Sequence, residues 1–463
     1  MKPLFFTIAI PLFGALCLCF LPKKHKAMAS ALILGATFLS SLFLLPAVAG
    51  GSELFFSRPL AGWFAFSFLA DGLAVFMAAV SSFVALLISL YSLDYMRHYE
   101  EQGVFYFWTV LFVGSMMGLI FSANLMLLFC FWEMTSVCSW RLIGFYRRDK
   151  DIQAADKAFL VTFFGASIML IGIVLIYLQT GTLETGSLKG MALGNLAAFL
   201  LLAGVISKSA QLPLQTWLPD AGVAPTPVTA LLHAAVLVKI GIYVFARLFG
   251  LTFTASPEFL NAVIILSVLT IVVAAGSALV EENMKRILAY STISQLGYIL
   301  LAFSLGGIAF KVALVYILAH SLAKAGLFLC AGIIEHKTGT KDINELGGLL
   351  RSMPYTATAY LLCAFSIIGI PPFLGFWPKF MTVLLTIQSG HILAGVLAVT
   401  GALFTLFYLM RLFNKVFLGE TRIKAEDDKK SAMTWVVLIL GAFSLILGLF
   451  FRLPFNFVSS IVK

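Results

Sequence analysis

Stretches of about twenty apolar residues follow one another along the whole chain, and this recurrence constrains the fold more than any other feature. Each stretch is long enough to cross a hydrocarbon core of roughly 30 Å as a helix. Inside a bilayer every backbone N–H and C=O must be satisfied within the protein, so such stretches become α-helices. Only 11% of the 463 residues are charged, against roughly 25% in soluble domains, and no soluble domain fits between the apolar runs. The chain therefore reads as an all-α polytopic membrane protein, with a single transmembrane domain over 1–463. About fourteen spanning segments are expected, near 4–22, 28–50, 71–92, 105–122, 124–143, 153–178, 192–212, 226–249, 258–280, 286–305, 308–334, 355–388, 391–418 and 432–452. The first lacks a small-residue cleavage site and precedes its positive cluster, Lys23 to Lys26, so it reads as a retained helix and not a signal peptide.

Segments 7 and 12 carry prolines where a span should be continuous. Segment 7 runs into Lys208-Ser-Ala-Gln-Leu-Pro213 and resumes briefly through Trp217 and Pro219; segment 12 contains Gly369-Ile-Pro371-Pro372-Phe-Leu-Gly375. Proline removes a backbone donor and clashes with the preceding turn, so both helices should break near mid-membrane. Two breaks five spans apart suit a pair of inverted five-helix repeats, about 105–249 and 258–418, flanked by helices 1–3 and 14.

Orientation follows from the basic residues. The loops after segments 1, 3, 5, 9, 11 and 13 hold Lys23, Lys24, Lys26, Arg97, Arg147, Arg148, Lys150, Lys285, Arg286, Lys337, Lys341, Arg351, Arg422, Lys424, Lys429 and Lys430. The opposite loops hold little beyond Arg58, Lys189, Lys311 and Arg452. The positive-inside rule then puts the first set in the cytoplasm and both termini outside, in a multi-pass protein of the cell (inner) membrane. The same spread explains the net charge of +10: no basic stripe suggests nucleic acid. Six cysteines all lie in apolar stretches without CxxC spacing, and read as small packing residues, not ligands or disulfides. No phosphate-binding loop, dinucleotide fingerprint, haem motif or metal-ligand spacing occurs, so neither a cofactor nor a catalytic residue is expected.

Ionisable groups near the middle of spans carry the functional signal. They are Glu133 in segment 5, Lys208 at the break of segment 7, His233 and Lys239 in segment 8, His320 and Lys324 in segment 11, and Lys379 at the break of segment 12. One charge at a helix centre costs roughly 2.5–3.5 kcal/mol, so four lysines and a glutamate in isolation would cost on the order of 12–17 kcal/mol. A single such residue is often a structural ion pair or a snorkelling anchor. Seven of them, spread over both halves and both breaks, point to an ion pathway, because an amine held out of water gives up its proton more readily and histidines relay protons near neutral pH. Glu133 is the one mid-span acid and the expected partner of Lys208. His233 and Lys239, six apart, should diverge by roughly 120° and serve different neighbours, whereas His320 and Lys324 share a face. Ser209, Gln211, Thr226, Thr229, Ser291, Thr292, Ser294 and Gln295 suit water-holding or, more simply, helix–helix hydrogen bonding. Asp71, Lys157 and Asp220, near span ends, suit interfacial anchoring or a subunit contact, and Arg141, close to the cytoplasmic end of segment 5, suits local pairing or snorkelling.

With these residues in place a family resemblance emerges. The run Lys208-SAQLPLQTWLPDAGVAPTPVTALLHAAVLVKIGIYVFAR-Leu248 resembles the signature of the antiporter-like subunits shared by respiratory complex I, membrane-bound hydrogenases and Mrp-type sodium/proton antiporters. So do Phe131-WEMTSVCSWRLIGF-Tyr146, Lys285-RILAYSTISQLGY-Ile299, His320-SLAKAGLFLCAG-Ile333 and His336-KTGTKDINELGGL-Leu350, and the likeness extends over residues 70–420. The resemblance implies fourteen helices with inverted repeats and a polar axis along the membrane plane. It implies that Glu133 pairs with Lys208, that His233, Lys239, His320 and Lys324 continue the axis, and that Lys379 is the outlet. It further implies a proton-translocating subunit working beside homologous and small membrane subunits, with any redox chemistry in peripheral partners. Phe380 stands where many relatives have an acid, and the stretch Thr162 to Ala166 lacks the Arg and Asp of some complex I members. Two other classes stay open on residues alone: a solute transporter, which needs a midplane pocket, and a structural subunit without transport.

Overall fold

A computed structural model describes residues 1–61, 64–423, 427–428 and 431–462. Three basic residues used for orientation, Lys424, Lys429 and Lys430, lie outside the described residues. Twelve helices among those described are long and apolar enough to cross a membrane. In chain order the first six main helices are α1 (Lys2–Phe20), α2 (Lys23–Leu42), α3 (Gly72–Tyr95), α4 (Gln102–Phe121), α5 (Leu125–Ile143) and α6 (Asp149–Thr180). The seventh expected segment yields only α7 (Asn195–Lys208) and, after a turn, the short helix Trp217–Asp220. Then come α8 (Thr226–Thr252), α9 (Pro257–Val280), α10 (Met284–Leu305) and α11 (Gly307–Thr338). The twelfth segment splits at Gly369 into α12 (Pro354–Ile368) and α13 (Phe376–Gln388), followed by α14 (Ile392–Phe417) and α15 (Ala432–Leu449). The expected fourteen thus divide into twelve full-length helices and two broken segments, whose apolar helices α7 and α12 have 14 and 15 residues.

Two features depart from the sequence reading. Strand β1 (Leu54–Ala61) pairs antiparallel with β2 (Phe64–Ala70), and β3 (Met191–Ala192) lies parallel to β4 (Phe253–Thr254). Short strands outside the spans leave no periodicity that apolar run length can detect. Beyond α15 an amphipathic helix, α16 (Arg452–Ile461), folds back onto α3 and α11. Its backbone approaches so closely that a Cβ on Gly72 would lie 1.7 Å from the Ile461 carbonyl oxygen.

The core is built around α8, α10 and α11, which are almost wholly enclosed, as helices in the middle of a bundle must be. α1, α2, α6 and α14 form the rim. Helix starts are set by side-chain caps: Asn124 accepts from Met126 and Leu127 N–H at α5, and Asn283 from Lys285 and Arg286 N–H at α10. Both α6 and α11 run for 32 residues and end at a left-handed glycine, Gly181 and Gly339.

Close packing holds broken α7 in place. A Cβ on Gly165 of α6 would meet Ser207 Oγ at 2.1 Å and the Ala203 carbonyl oxygen at 2.8 Å. Gly165→Val is therefore expected to push α7 off α6 and cost about 1–3 kcal/mol. A lower midpoint of thermal unfolding in detergent checks this; an unchanged midpoint would mean the interface is looser than its geometry.

Candidate functional site

All four mid-span lysines are buried, at 0–5% exposure, and among the described residues none forms an ion pair. Lys208 closes α7. Its Nζ donates to Ser136 Oγ at 2.6 Å and to the Trp132 carbonyl at 3.2 Å, and lies 5.2 Å from the Trp132 ring centroid. The expected pairing with Glu133 is not a direct contact, although the two charges lie close enough to interact. Ser136 lies roughly 60° around α5 from Glu133, and the amine takes the hydroxyl. Glu133 stays half-buried beside exposed Met134 and Val137, with Oε1 unbonded.

In α8 the backbone departs from an ideal helix. Leu231–Ala235 form a wide π-turn, and Val236 sits at φ −124° and ψ −78°. Lys239 Nζ donates to the Ala234 carbonyl at 2.6 Å and to Ser321 Oγ of α11 at 2.8 Å. His233 stacks on Phe328 of the same α11, ring centroids 4.3 Å apart. An ideal helix would set these side chains roughly 120° apart, yet both meet α11, which corrects the expectation of different neighbours.

Lys324 donates to the Leu288 carbonyl of α10 at 3.0 Å. Lys379 donates to the Ile367 and Ile368 carbonyls at 2.5 and 3.2 Å, beneath the Tyr298 ring at 5.1 Å. These two carbonyls end α12 and lack intrahelical donors, so the break supplies the acceptors the amine needs. Among the described residues neither ring nitrogen of His233 or His320 finds a hydrogen-bond partner, although both side chains are fully buried. Most of the hydroxyls bond backbone carbonyls: Ser209 to Val205, Thr229 to Thr226, Thr292 to Leu288 and Ser294 to Ile271. Ser291 accepts from Tyr408, and Gln295 joins Tyr316 and Thr405. Among the described residues no three His, Cys, Asp or Glu side chains converge on a metal site.

Sequence reasoning missed two ionic clusters. Asp71 caps α3 and takes a bidentate grip from Arg247 of α8, both buried, while Tyr243 accepts from the same guanidinium. Asp71 is thus an internal clamp, not an interfacial anchor. The i, i+4, i+8 spacing of Lys239, Tyr243 and Arg247 was the available signal. At the other end of α8, Lys285 pairs with Glu335 at 2.7 Å, and Glu335 Oε2 also accepts from Thr226 Oγ1 at 3.4 Å. Thr226, Thr229 and His233 then follow one buried face of α8 inward. Lys157 and Asp220 pair with each other at 2.6 Å, and Arg286 grips the other Asp220 oxygen at 2.6 Å. Burial raises the Asp220 carboxyl, but hydrogen bonds from Lys157 and Arg286 outweigh it and hold the group below its usual range. Arg141 lies over the Trp108 and Trp140 rings, at 5.9 and 5.6 Å.

Fold and site together define a multi-pass helical membrane protein with unpaired lysines and histidines through its core and helices broken beside two of them. Residues 122–405 match the family profile described as NADH:quinone oxidoreductase/Mrp antiporter, TM, and residues 62–106 match that of the complex I chain 5 N-terminus. The chain belongs to this family of antiporter-like membrane subunits. It is 36% identical to NADH-quinone oxidoreductase subunit L of Escherichia coli over 96% of its own length and 76% of the relative's. It is 36% identical to a Na(+)/H(+) antiporter subunit of Alkalihalophilus pseudofirmus and 33% to one of Staphylococcus aureus. The matches to these two cover 83% of this chain and 52% of theirs, so it spans about half their length. In fold it superposes on a chain of the Mrp complex from a Dietzia species, with TM-score 0.92, 24% identity and coverage of 100% and 97%. A chain of an archaeal membrane-bound sulfane sulfur reductase gives TM-score 0.89 at 24% identity, with coverage of 99% and 97%.

Proposed function

We propose that the chain is the proton-conducting subunit of a multisubunit cation/proton antiporter or complex I-like machine, passing protons along Glu133, Lys208, His233, Lys239, His320, Lys324 and Lys379. One observation carries this reading: four lysines are buried and, among the described residues, none makes a contact ion pair with a carboxylate. A structural role would pair each with an acid, because an unpaired buried charge costs several kcal/mol. Here hydroxyls and carbonyls hold the amines, partners that accept from either protonation state, so a proton can leave without breaking an ion pair.

Two repeats, about 105–249 and 258–418, would place these groups symmetrically. In support, the Asn124 and Asn283 caps, the Gly181 and Gly339 ends, and the bridges Asn124 to Glu184 and Asn283 to Asp342 recur in the same order. The protein sits in the inner membrane with both termini outside, by the distribution of basic loops. Its partners are homologous antiporter-like subunits and small membrane subunits, and redox subunits where electrons drive the pump.

The test is proton translocation by the assembled complex in membrane vesicles, read by a pH-sensitive dye. Lys324→Ala and Glu133→Ala are each expected to remove most of the signal while the complex still assembles. Full activity in both variants would take the axis out of the mechanism.

A further inference from the structure

Helix α7 stops at Lys208, and the chain turns through exposed Pro213 and Thr216 before the short helix Trp217–Asp220 packs between α6 and α10. A pocket of about 320 Å³ opens beside this turn, lined by Lys150, Gln153, Ala154 and Lys157 of α6, by Asp220 and Val223, and by Arg286 of α10. This is near the lower end of the roughly 300–1,000 Å³ of small-molecule sites. Three cations face one carboxylate in the lining. Asp220 takes one donor from Lys157 and one from Arg286, and Arg286 Nε takes Glu281 at 2.8 Å. Lys157 keeps two N–H donors and Arg286 its second terminal nitrogen, and among the described residues no ion pair engages Lys150. The clamp on Asp220 fixes these donors in position instead of consuming them.

The same face of α6 continues into apolar surface. Gln153, Lys157, Leu160 and Phe164 follow at i, i+4, i+7 and i+11, one stripe of the helix. Leu160 is 62% exposed and Phe164 58%, as lipid-facing side chains of a span are. Cationic donors therefore sit at the end of an apolar track, at the depth where a span gives way to its basic loop. We propose that this pocket binds the headgroup phosphate of one anionic phospholipid, whose acyl chains lie along Leu160 and Phe164. A free anion would have no use for the apolar stripe; a zwitterionic lipid would have no use for the surplus of cations.

Native mass spectrometry of the detergent-purified full chain, titrated with phosphatidylglycerol or phosphatidylcholine, tests this. The wild type is expected to retain one phosphatidylglycerol more than Lys150→Gln/Lys157→Gln, with occupancy lowered about thirtyfold in the double variant and about fivefold in Lys150→Gln alone. Lys150 is exposed and unpaired, so the single variant keeps the test valid if the double variant misfolds. Millimolar inorganic phosphate should not displace the lipid. Equal phosphatidylglycerol retention in all three proteins, equal retention of phosphatidylcholine, or displacement by phosphate would each overturn the proposal, the last by showing a free-anion site.

Discussion

Lys208→Ala is expected to bring proton translocation to background while the chain still folds. Lys208 is fully buried at the end of α7, bonded to Ser136 Oγ and the Trp132 carbonyl across the α5 interface. Removing it takes away a buried amine that no carboxylate touches, so the desolvation cost recovered offsets the packing lost, and stability should move by less than about 2 kcal/mol. Lys208→Arg separates charge from proton exchange. Arginine keeps the positive charge but does not deprotonate in proteins, so it should be as inactive as alanine if Lys208 loads and releases protons. A working arginine variant would make Lys208 a fixed charge and remove it from the relay. Translocation by the assembled complex in vesicles, with assembly checked on native gels, reads both.

The largest stability effect should come from a different place. Arg247→Met leaves the Asp71 carboxylate buried without its guanidinium, and breaking a buried pair from one side costs about 3–5 kcal/mol. The thermal midpoint in detergent should fall sharply, since α3 and α8 lose the clamp that joins them. Asp71→Asn/Arg247→Met should recover much of the loss, because the second change removes the stranded charge. If the single variant melts like the wild type, the pair is solvated and not a clamp. Tyr243 adds a check: its hydroxyl accepts from Arg247 at 3.0 Å and donates to the Ile120 carbonyl. Tyr243→Phe should cost less than the arginine change, about 1 kcal/mol.

The sequence was most informative where one residue type conflicts with its surroundings. Prolines inside apolar runs announced the breaks after Lys208 and near Gly369, since a missing backbone donor is a local fact. Lysines and histidines inside apolar runs announced the polar interior, and all four lysines and both histidines are buried in the folded chain. Partners were less legible. Glu133 looked like the counter-ion of Lys208 because it is the one acid at that depth, yet a turn of α5 offers the amine a hydroxyl instead. His233 and Lys239 looked divergent because spacing gives only the direction in which each leaves the helix axis, whereas both side chains reach residues of one long neighbour, α11.

The chain's own order thus determined the spans, their breaks and which polar groups enter the bilayer. Hydrophobic length and proline chemistry act within a single segment, so no neighbour is needed to read them. Tertiary structure decided what those groups touch. Asp71 meets Arg247 across 176 residues and Lys239 meets Ser321 across 82, and only helix packing brings such distant positions together. Which acceptor an amine chooses turns on rotations and backbone carbonyls freed at breaks, and these exist only once the helices have packed.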